Sequence, residues 1–413
     1  MKRRWLSVIL AVCTVISAIQ IPIFAAENST DSATAGVTYT LSGENNQILT
    51  VSGTGEITSL ELNKTLSFDE KERVTSIIID SGITGIADDY NTLLTKVKKI
   101  TLKGSGNFRF GNYAFRNLDS LSVESERDSI EVGSYTFQNT QLLQFPLDSI
   151  VKIKSFGFSN AQLPVEGKNL TLHFADNVDM SAKYPSNSIY QYALSGVKNS
   201  TGETFSSADI TISGTVAFGE IASNRSNIFG SSNSVTALRF HLEDGARLVF
   251  GGGLGLSNLE TLTFDGTGAV DFQHPDYAYA QGNALEGAVK LSTIDFTGFT
   301  GDILFSKKMF NTKTGSQPQL REVLLGDGCS VTRIKESAFA YCSGLTVFDF
   351  SKVTGEIEKE AFRDTGLTEA NLSNVTSIGY CAFENVTGVS DWSSICSASE
   401  KGTLKKLEFS NVF

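Results

Sequence analysis

Along residues 331–383 the apolar positions recur with a long period, not with the 3.6 or 2 of a single helix or strand. Ala338-Phe339, Ala361-Phe362 and Ala382-Phe383 return at intervals of 23 and 21 residues. Each Phe follows an aliphatic residue by five positions: Ile334, Ile357 and Ile378. After the first two comes a shorter pattern with apolar residues at positions 1, 4 and 6: Leu345, Phe348, Phe350, then Leu367, Ala370, Leu372. A unit this small cannot bury its own apolar face, so units must stack on one another. The pattern predicts a solenoid whose coils each consist of one short strand and one irregular return arc. Strands of neighbouring coils should pair at about 4.8 Å, with the arc Ile and Phe stacking on their equivalents.

The same signal extends toward the N-terminus. The 1-4-6 set begins at Val74, Val97, Leu118 and Leu142, and the arcs supply Phe115, Phe137 and Phe158, each five residues after Phe110, Val132 and Ile153. Between about 164 and 319 it loosens. Strand sets start at Val235, Leu259, Leu291 and Leu320, the spacing stretches to 32 and 29, and the Ala-Phe mark is lost. Leu170 to Phe174 and Ile210 to Ile212 read as further strands. The extra residues, around 177–204, 272–282 and 312–317, are expected as loops on the coil edges, on the premise that a strand cannot lengthen without breaking the stack. Loops of this kind are where function tends to sit. After Phe383 the pattern weakens at Val389 and Trp392 and returns at Leu404. It then stops at Phe413 on a strand with no polar cap, the expectation being a fragment, with a partner covering that face as the other reading.

At the other end, Lys2, Arg3 and Arg4 precede an apolar run from Trp5 to Ile19 and a small-residue site at Ala25-Ala26, which reads as a secretory signal cleaved after Ala25. The rival reading is an uncleaved anchor, against which Gln20 and Pro22 interrupt the run. No later segment is long and apolar enough to span a membrane. Val37, Tyr39 and Leu41 alternate with polar residues, a turn-forming stretch follows, and Ile48 to Val51 resumes, so a β-hairpin is expected to cap the first coil.

The spelling I-x-x-x-A-F-x-x-C-x-x-L, carried here by Ile334, Ala338, Phe339, Cys342 and Leu345, resembles the BspA-type leucine-rich repeat. The segment TLSGENNQILTVSGTGEI resembles the stretch that commonly precedes such repeats. The resemblance implies a β-rich leucine-rich repeat solenoid of stacked short parallel strands with irregular arcs and an N-terminal β-hairpin cap. It also implies a secreted or cell-surface protein with a binding or adhesion surface, and neither chemistry nor a cofactor. The expected organisation is signal peptide 1–25, linker 26–36, N-terminal β cap 37–73, first repeat block 74–163, degenerate repeats with loop insertions 164–319, and an uncapped second block 320–413.

Charge narrows the partners. The formal net charge is -11 from 34 basic and 45 acidic residues; without Lys2, Arg3 and Arg4, 31 basic residues remain and the balance is -14. Such a surface repels phosphate backbones, so nucleic acid is not an expected partner, and it keeps a secreted protein soluble.

Candidate chemistry is sparse. Once Cys13 leaves with the leader, Cys329, Cys342, Cys381 and Cys396 contain no C-x-x-C pair, against a zinc site; Cys342 reads as a small buried residue in the arc. His173, His241 and His274 lie far apart, without metal-type spacing, and His173 falls on an outward strand position. Gly251 to Gly255 lacks the Lys-Ser/Thr of a phosphate loop and reads as a tight turn. Asp265 and Asp271 flank Gly266 and Gly268 in what reads as a turn, with calcium as the alternative, but they do not match an EF-hand. Eight N-x-Ser/Thr triplets, from Asn28 to Asn385, would matter only in a eukaryotic secretory pathway. No metal site and no catalytic set is expected.

What remains is a surface. Positions 2, 3 and 5 of each strand should point away from the core, and stacking should align the position-5 residues Ile78, Thr101, Ser122, Pro146, Arg239, Thr263, Asp295, Leu324, Asp349, Asn371 and Glu408 into a ladder. In the C-terminal coils these positions give Arg321, Glu322, Leu324, Thr346, Val347, Asp349, Thr368, Glu369 and Asn371, exposed apolar groups beside charges. That mixture suits a protein or glycan ligand, with a host surface or matrix as an expected source. The functional expectation is therefore a non-enzymatic, adhesin-like interaction protein. The alternatives are a secreted carbohydrate-active enzyme on a β-solenoid and a structural spacer of a larger surface protein.

Overall fold

The computed structural model describes residues 36–88, 94–177, 192–218, 228–230, 234–250, 254, 256–272, 284–285, 287–310 and 318–408. The expected leader and nearly all of the linker, the glycines 251–253 and 255, His274, and most of the expected loop residues lie outside these. Residues Val37–Phe413 form one compact unit.

The unit begins with β1 (Thr38–Ser42) antiparallel to β2 (Ile48–Ser52), joined through a turn at Glu44–Asn46, as the alternation predicts. Beyond β3 (Gly55–Ile57) the chain forms two short helices that the sequence reading missed, α1 (Ser59–Thr65) and α2 (Phe68–Lys71). Their starts are encoded locally. Thr58 accepts from the Glu61 N–H at 3.2 Å, and Ser67 and Glu70 form a reciprocal capping box.

Each of the next four coils carries two strands, not one: β4 (Ser76–Ile79) and β5 (Ile83–Ile86), β6 (Lys99–Leu102) and β7 (Asn107–Phe110), β8 (Leu121–Ser125) and β9 (Ser129–Val132), β10 (Leu142–Gln144) and β11 (Ile150–Ile153). The first strands continue β1 and β2 as a six-stranded sheet, and the second strands join β3 in a five-stranded one. Phe110, Val132 and Ile153, read as arc residues from the sequence, are the last residues of second strands. The alternation was there to see: Phe108 and Phe110 of Asn-Phe-Arg-Phe are both buried.

The following strands are far longer: β12 (Asn169–Asn177), β13 (Ser207–Phe218), β14 (Ala237–Phe250), β15 (Thr261–Asp271) and β16 (Thr293–Phe305). Here one continuous strand replaces the two of a coil, which corrects the premise that strand length cannot change. The stack survives because neighbours lengthen together. Their register runs Leu238 to Leu262 to Ile294 at one end and Leu248 to Val270 to Ile303 at the other. Gly266 lets β15 bend between the two faces. Its φ is 85°, and a Cβ would run into the carbonyl oxygen of Leu242 on the strand below. The expected Gly266/Gly268 turn is thus the corner of a strand. Beyond β16 the two-strand pattern returns: β17 (Glu322–Leu325) pairs with its first half and β18 (Cys329–Ile334) with its second. Then follow β19 (Val347–Phe348), β20 (Val353–Ile357), β21 (Ser377–Ile378), α3 (Ser394–Glu400) and β22 (Lys406–Leu407).

The arcs form a third inter-coil ladder. Tyr113, Phe115 and Asn117 donate their N–H groups to Ser134, Thr136 and Gln138 of the next coil at 2.9, 3.0 and 2.9 Å. Two residues on either side of each arc Phe hold left-handed backbone, as at Tyr113 and Asn117, Tyr135 and Asn139, Glu360 and Asp364. Asn and Asp accept that conformation readily, whereas Tyr does not. Inside, phenylalanines stack from coil to coil: Phe137 on Phe158 at 5.5 Å, Phe264 on Phe296 at 4.4 Å, and Phe362 between Phe339 at 5.2 Å and Phe383 at 5.5 Å. At the corner between β8 and β9 the buried Arg127 donates to the carbonyls of Ser81, Ser105, Asp80 and Ile83 at 2.9–3.1 Å. It ties three coils together.

A candidate binding face on the C-terminal coils

Strand pleating puts every second side chain off the core. Val323, Phe348 and Ala370 are buried, while Arg321, Thr346, Val347, Asp349, Thr368, Glu369 and Asn371 are exposed and Glu322 and Leu324 half-buried. Glu322 lies beside Val347 in the β17–β19 ladder and accepts from the Thr293 hydroxyl at 3.0 Å.

Position 5 has a local task that the sequence reading did not assign to it. Asp349 Oδ1 accepts from the N–H and the hydroxyl of Ser351 at 2.9 and 2.6 Å. Asn371 does the same for the Ser373 N–H at 3.2 Å, Asp295 for Thr297 and Asp391 for Ser393, both at 2.8 Å. Each side chain accepts from the backbone two residues on; at Asp349 this closes the turn that follows β19, whereas at Asp295 the bond falls inside β16. At Asp391 the bonds from the Ser393 N–H, and secondarily its hydroxyl, hold the carboxyl below its ordinary pKa. The signal for this was present as Asp349-Phe-Ser351, Asn371-Leu-Ser373 and Asp391-Trp-Ser393, spaced by 22 and 20 residues. It places the weak Val389 coil in register.

Across these coils runs a groove of about 840 Å³. Val347, Asp349, Thr368, Glu369 and Asn371 line it. Arg321, Glu322, Leu324 and Thr346 do not. The other wall comes from residues the sequence reading left out: Val389, Asp391, Ser394 and Ser397 of α3, and Lys401. Among the described residues, neither the Glu369 nor the Lys401 side chain has an ion pair or hydrogen bond.

The second-strand face is different. Arg109 bridges Glu56 and Asp88 at 3.2 and 2.8 Å, Arg333 bridges Glu356 and Glu358 at 3.1 and 2.7 Å, and Lys307 meets Glu336 at 2.6 Å. Its charges are largely matched between coils.

The ladder of position-5 residues holds from Arg239 through Thr263 and Asp295 to Leu324. It fails earlier: Thr101 lies beside Glu124, not Ser122, and Ser122 beside Gln144, not Pro146, because β8 enters two residues out of phase and β10 carries a register shift. On the central strands the fold also gathers groups that spacing kept apart. Asp265 accepts from both Arg239 and His241, and Arg247 Nε donates to Asp271 at 2.7 Å. His173 Nε2 lies 2.9 Å from the Ser213 hydroxyl and 3.9 Å from Glu243. Both aspartates weighed for calcium are therefore taken by basic side chains, and among the described residues no group of acidic, His and Cys side chains is arranged to hold a metal. No disulfide joins Cys329, Cys342, Cys381 and Cys396, and burial pushes the Cys342 thiol pKa far up. Among the described residues no helix is long and apolar enough to cross a membrane.

The family described as BspA type leucine rich repeat region matches in six copies, over residues 55–165 and 315–397. Among solved structures, a leucine-rich repeat protein from Eubacterium ventriosum is 17% identical over 87% of this chain and 95% of its own, with a TM-score of 0.25. One from Bacteroides ovatus is 18% identical over 91% and 90%, with a TM-score of 0.27. No curated protein matches the chain.

Proposed function

Because the chain carries BspA-type leucine-rich repeats over residues 55–165 and 315–397, we propose that it is a non-enzymatic interaction protein, secreted or displayed at a cell surface. In this reading it binds protein or glycan through the first-strand face of its C-terminal coils. One contrast supports this. Charges on the second-strand face are matched between coils, whereas the first-strand face holds a groove with Glu369 and Lys401 unmatched and Val347 46% exposed. Exposed apolar groups rimmed by charge are how interfaces are commonly built. Residues 37–73 then cap the first coil, 74–163 and 320–413 are the regular blocks, 164–319 the degenerate one, and 1–25 directs export ahead of the linker 26–36.

A screen of the purified protein against matrix proteins and glycans tests the reading, repeated with Val347→Ser, Asp349→Asn and Glu369→Gln combined. The expected result is a captured ligand that the triple variant loses at unchanged melting temperature. Equal capture by the variant places binding elsewhere. Mass spectrometry of exported protein tests the leader: a start near Ala26 is expected, and an intact Met1 in the membrane fraction overturns export.

A further inference from the structure

Resting on the reading of this face as the binding surface, we propose that the groove takes an extended cationic segment of a partner protein. Three successive coils each contribute one carboxylate to its lining, Asp349, Glu369 and Asp391, against the single cation Lys401. Asp349 and Asp391 each use Oδ1 to close a turn. That leaves one oxygen on each, and both on Glu369, for a ligand. Asp349 and Asp391 hold equivalent positions two coils apart with Asn371 between them, and Glu369 sits two residues earlier on the middle coil, so the three carboxylates form a staggered row across the coils that one extended peptide can follow. Lys and Arg fit the remaining surface as well, because their aliphatic stems cover apolar side chains while the charged head reaches a carboxylate. Val347 supplies that apolar surface.

The alternatives fit less well. An acidic peptide or a sulfated glycan meets a row of like charge on a chain whose net charge is already -11. A neutral glycan gains most from an open aromatic ring face, and the two rings in the groove wall, Phe348 and Phe350, are buried in the core at 3% and 1% exposure.

The test uses the full chain and three end-blocked hexapeptides in which Val alternates with Lys, Glu or Ser, together with maltohexaose, in titration calorimetry at about 50 and about 500 mM salt. The Lys peptide is expected to bind. Its Kd should rise at least about tenfold with Asp349→Asn, Glu369→Gln and Asp391→Asn combined, and again at high salt, where exposed charges are screened. Asp349→Asn and Asp391→Asn keep the turn-closing oxygen and Glu369 closes no turn, so the melting temperature should hold. The proposal is overturned if the Lys peptide does not bind at millimolar concentration, binds no tighter than the Ser peptide, or binds the triple variant as well as wild type. Should the Ser peptide or maltohexaose bind instead, and weaken with Val347→Ser, the cationic occupant is wrong while the face remains the binding surface.

Discussion

The carboxylate of Asp349 holds Ser351 by two hydrogen bonds, one to its backbone N–H and one to its hydroxyl, and so closes the turn that ends the strand. A residue facing solvent on a candidate binding surface thus has a structural duty, and the two roles separate by substitution. Asp349→Ala should cost about 0.5–2 kcal/mol, the range for losing a side-chain cap. Asp349→Asn should cost little, since the accepting oxygen is kept. Chemical denaturation of both variants checks this, and equal losses would mean the charge and not the turn is what matters.

Phe362 lies nearly parallel to Phe339 and Phe383, 5.2 and 5.5 Å away, and is fully buried. Phe362→Ala should cost about 3–5 kcal/mol. Because each coil contacts mainly its neighbours, hydrogen exchange should quicken first in the coils of Phe339 and Phe383 and least in that of Phe115. Uniform loss of protection along the chain would contradict a nearest-neighbour stack.

Tyr135 has φ of 58°, a conformation unfavourable for an aromatic residue, yet it stacks between Tyr113 at 4.8 Å and Phe156 at 4.7 Å. Removing the ring while keeping a Cβ keeps the strain and loses the stack. Tyr135→Gly should therefore leave a more stable protein than Tyr135→Ala, by about 1 kcal/mol. If thermal melts rank the two the other way, the backbone strain is not real.

Arg127 supplies four hydrogen bonds to main-chain carbonyls from a buried position. Arg127→Met roughly keeps the bulk and removes all four bonds, although the Asp80 carbonyl still accepts from the Ile83 N–H at 3.1 Å. At about 1–3 kcal/mol for a buried polar group left unsatisfied, a loss of at least about 3 kcal/mol is expected in urea unfolding. A near-wild-type midpoint would show that the corner does not need it.

Burial raises the pKa of Cys342, whereas Cys396 is exposed. Native alkylation followed by peptide mapping should modify Cys396 and spare Cys342. The same shift sets a pH trend. Above about 8.5, the ordinary thiol pKa, the unfolded state releases the Cys342 proton and the folded state keeps it, so this group's contribution to stability falls as pH rises. Cys342→Ala should flatten that alkaline slope, and an unchanged slope would place its origin in other groups.

The sequence alone determined that this chain is a solenoid, because a unit of some twenty residues with a few apolar positions can bury them only against copies of itself. It also determined which side of the C-terminal strands meets solvent, since Val323, Phe348 and Ala370 alternate with their neighbours, and it located Phe362 in the core. The second strand of each coil was legible too, in Phe108 and Phe110. Only the tertiary structure decided what lies beside what across coils. Thr101 meets Glu124 and not Ser122, His241 and Arg239 converge on Asp265, and α3 and Lys401 wall the groove beside Glu369. The physical reason is that burial constrains each coil one at a time, so its apolar pattern shows in sequence. The phase between coils depends on bulges, corner glycines and joint strand lengthening, which conserve the alternation of inward and outward residues while changing which of them become neighbours.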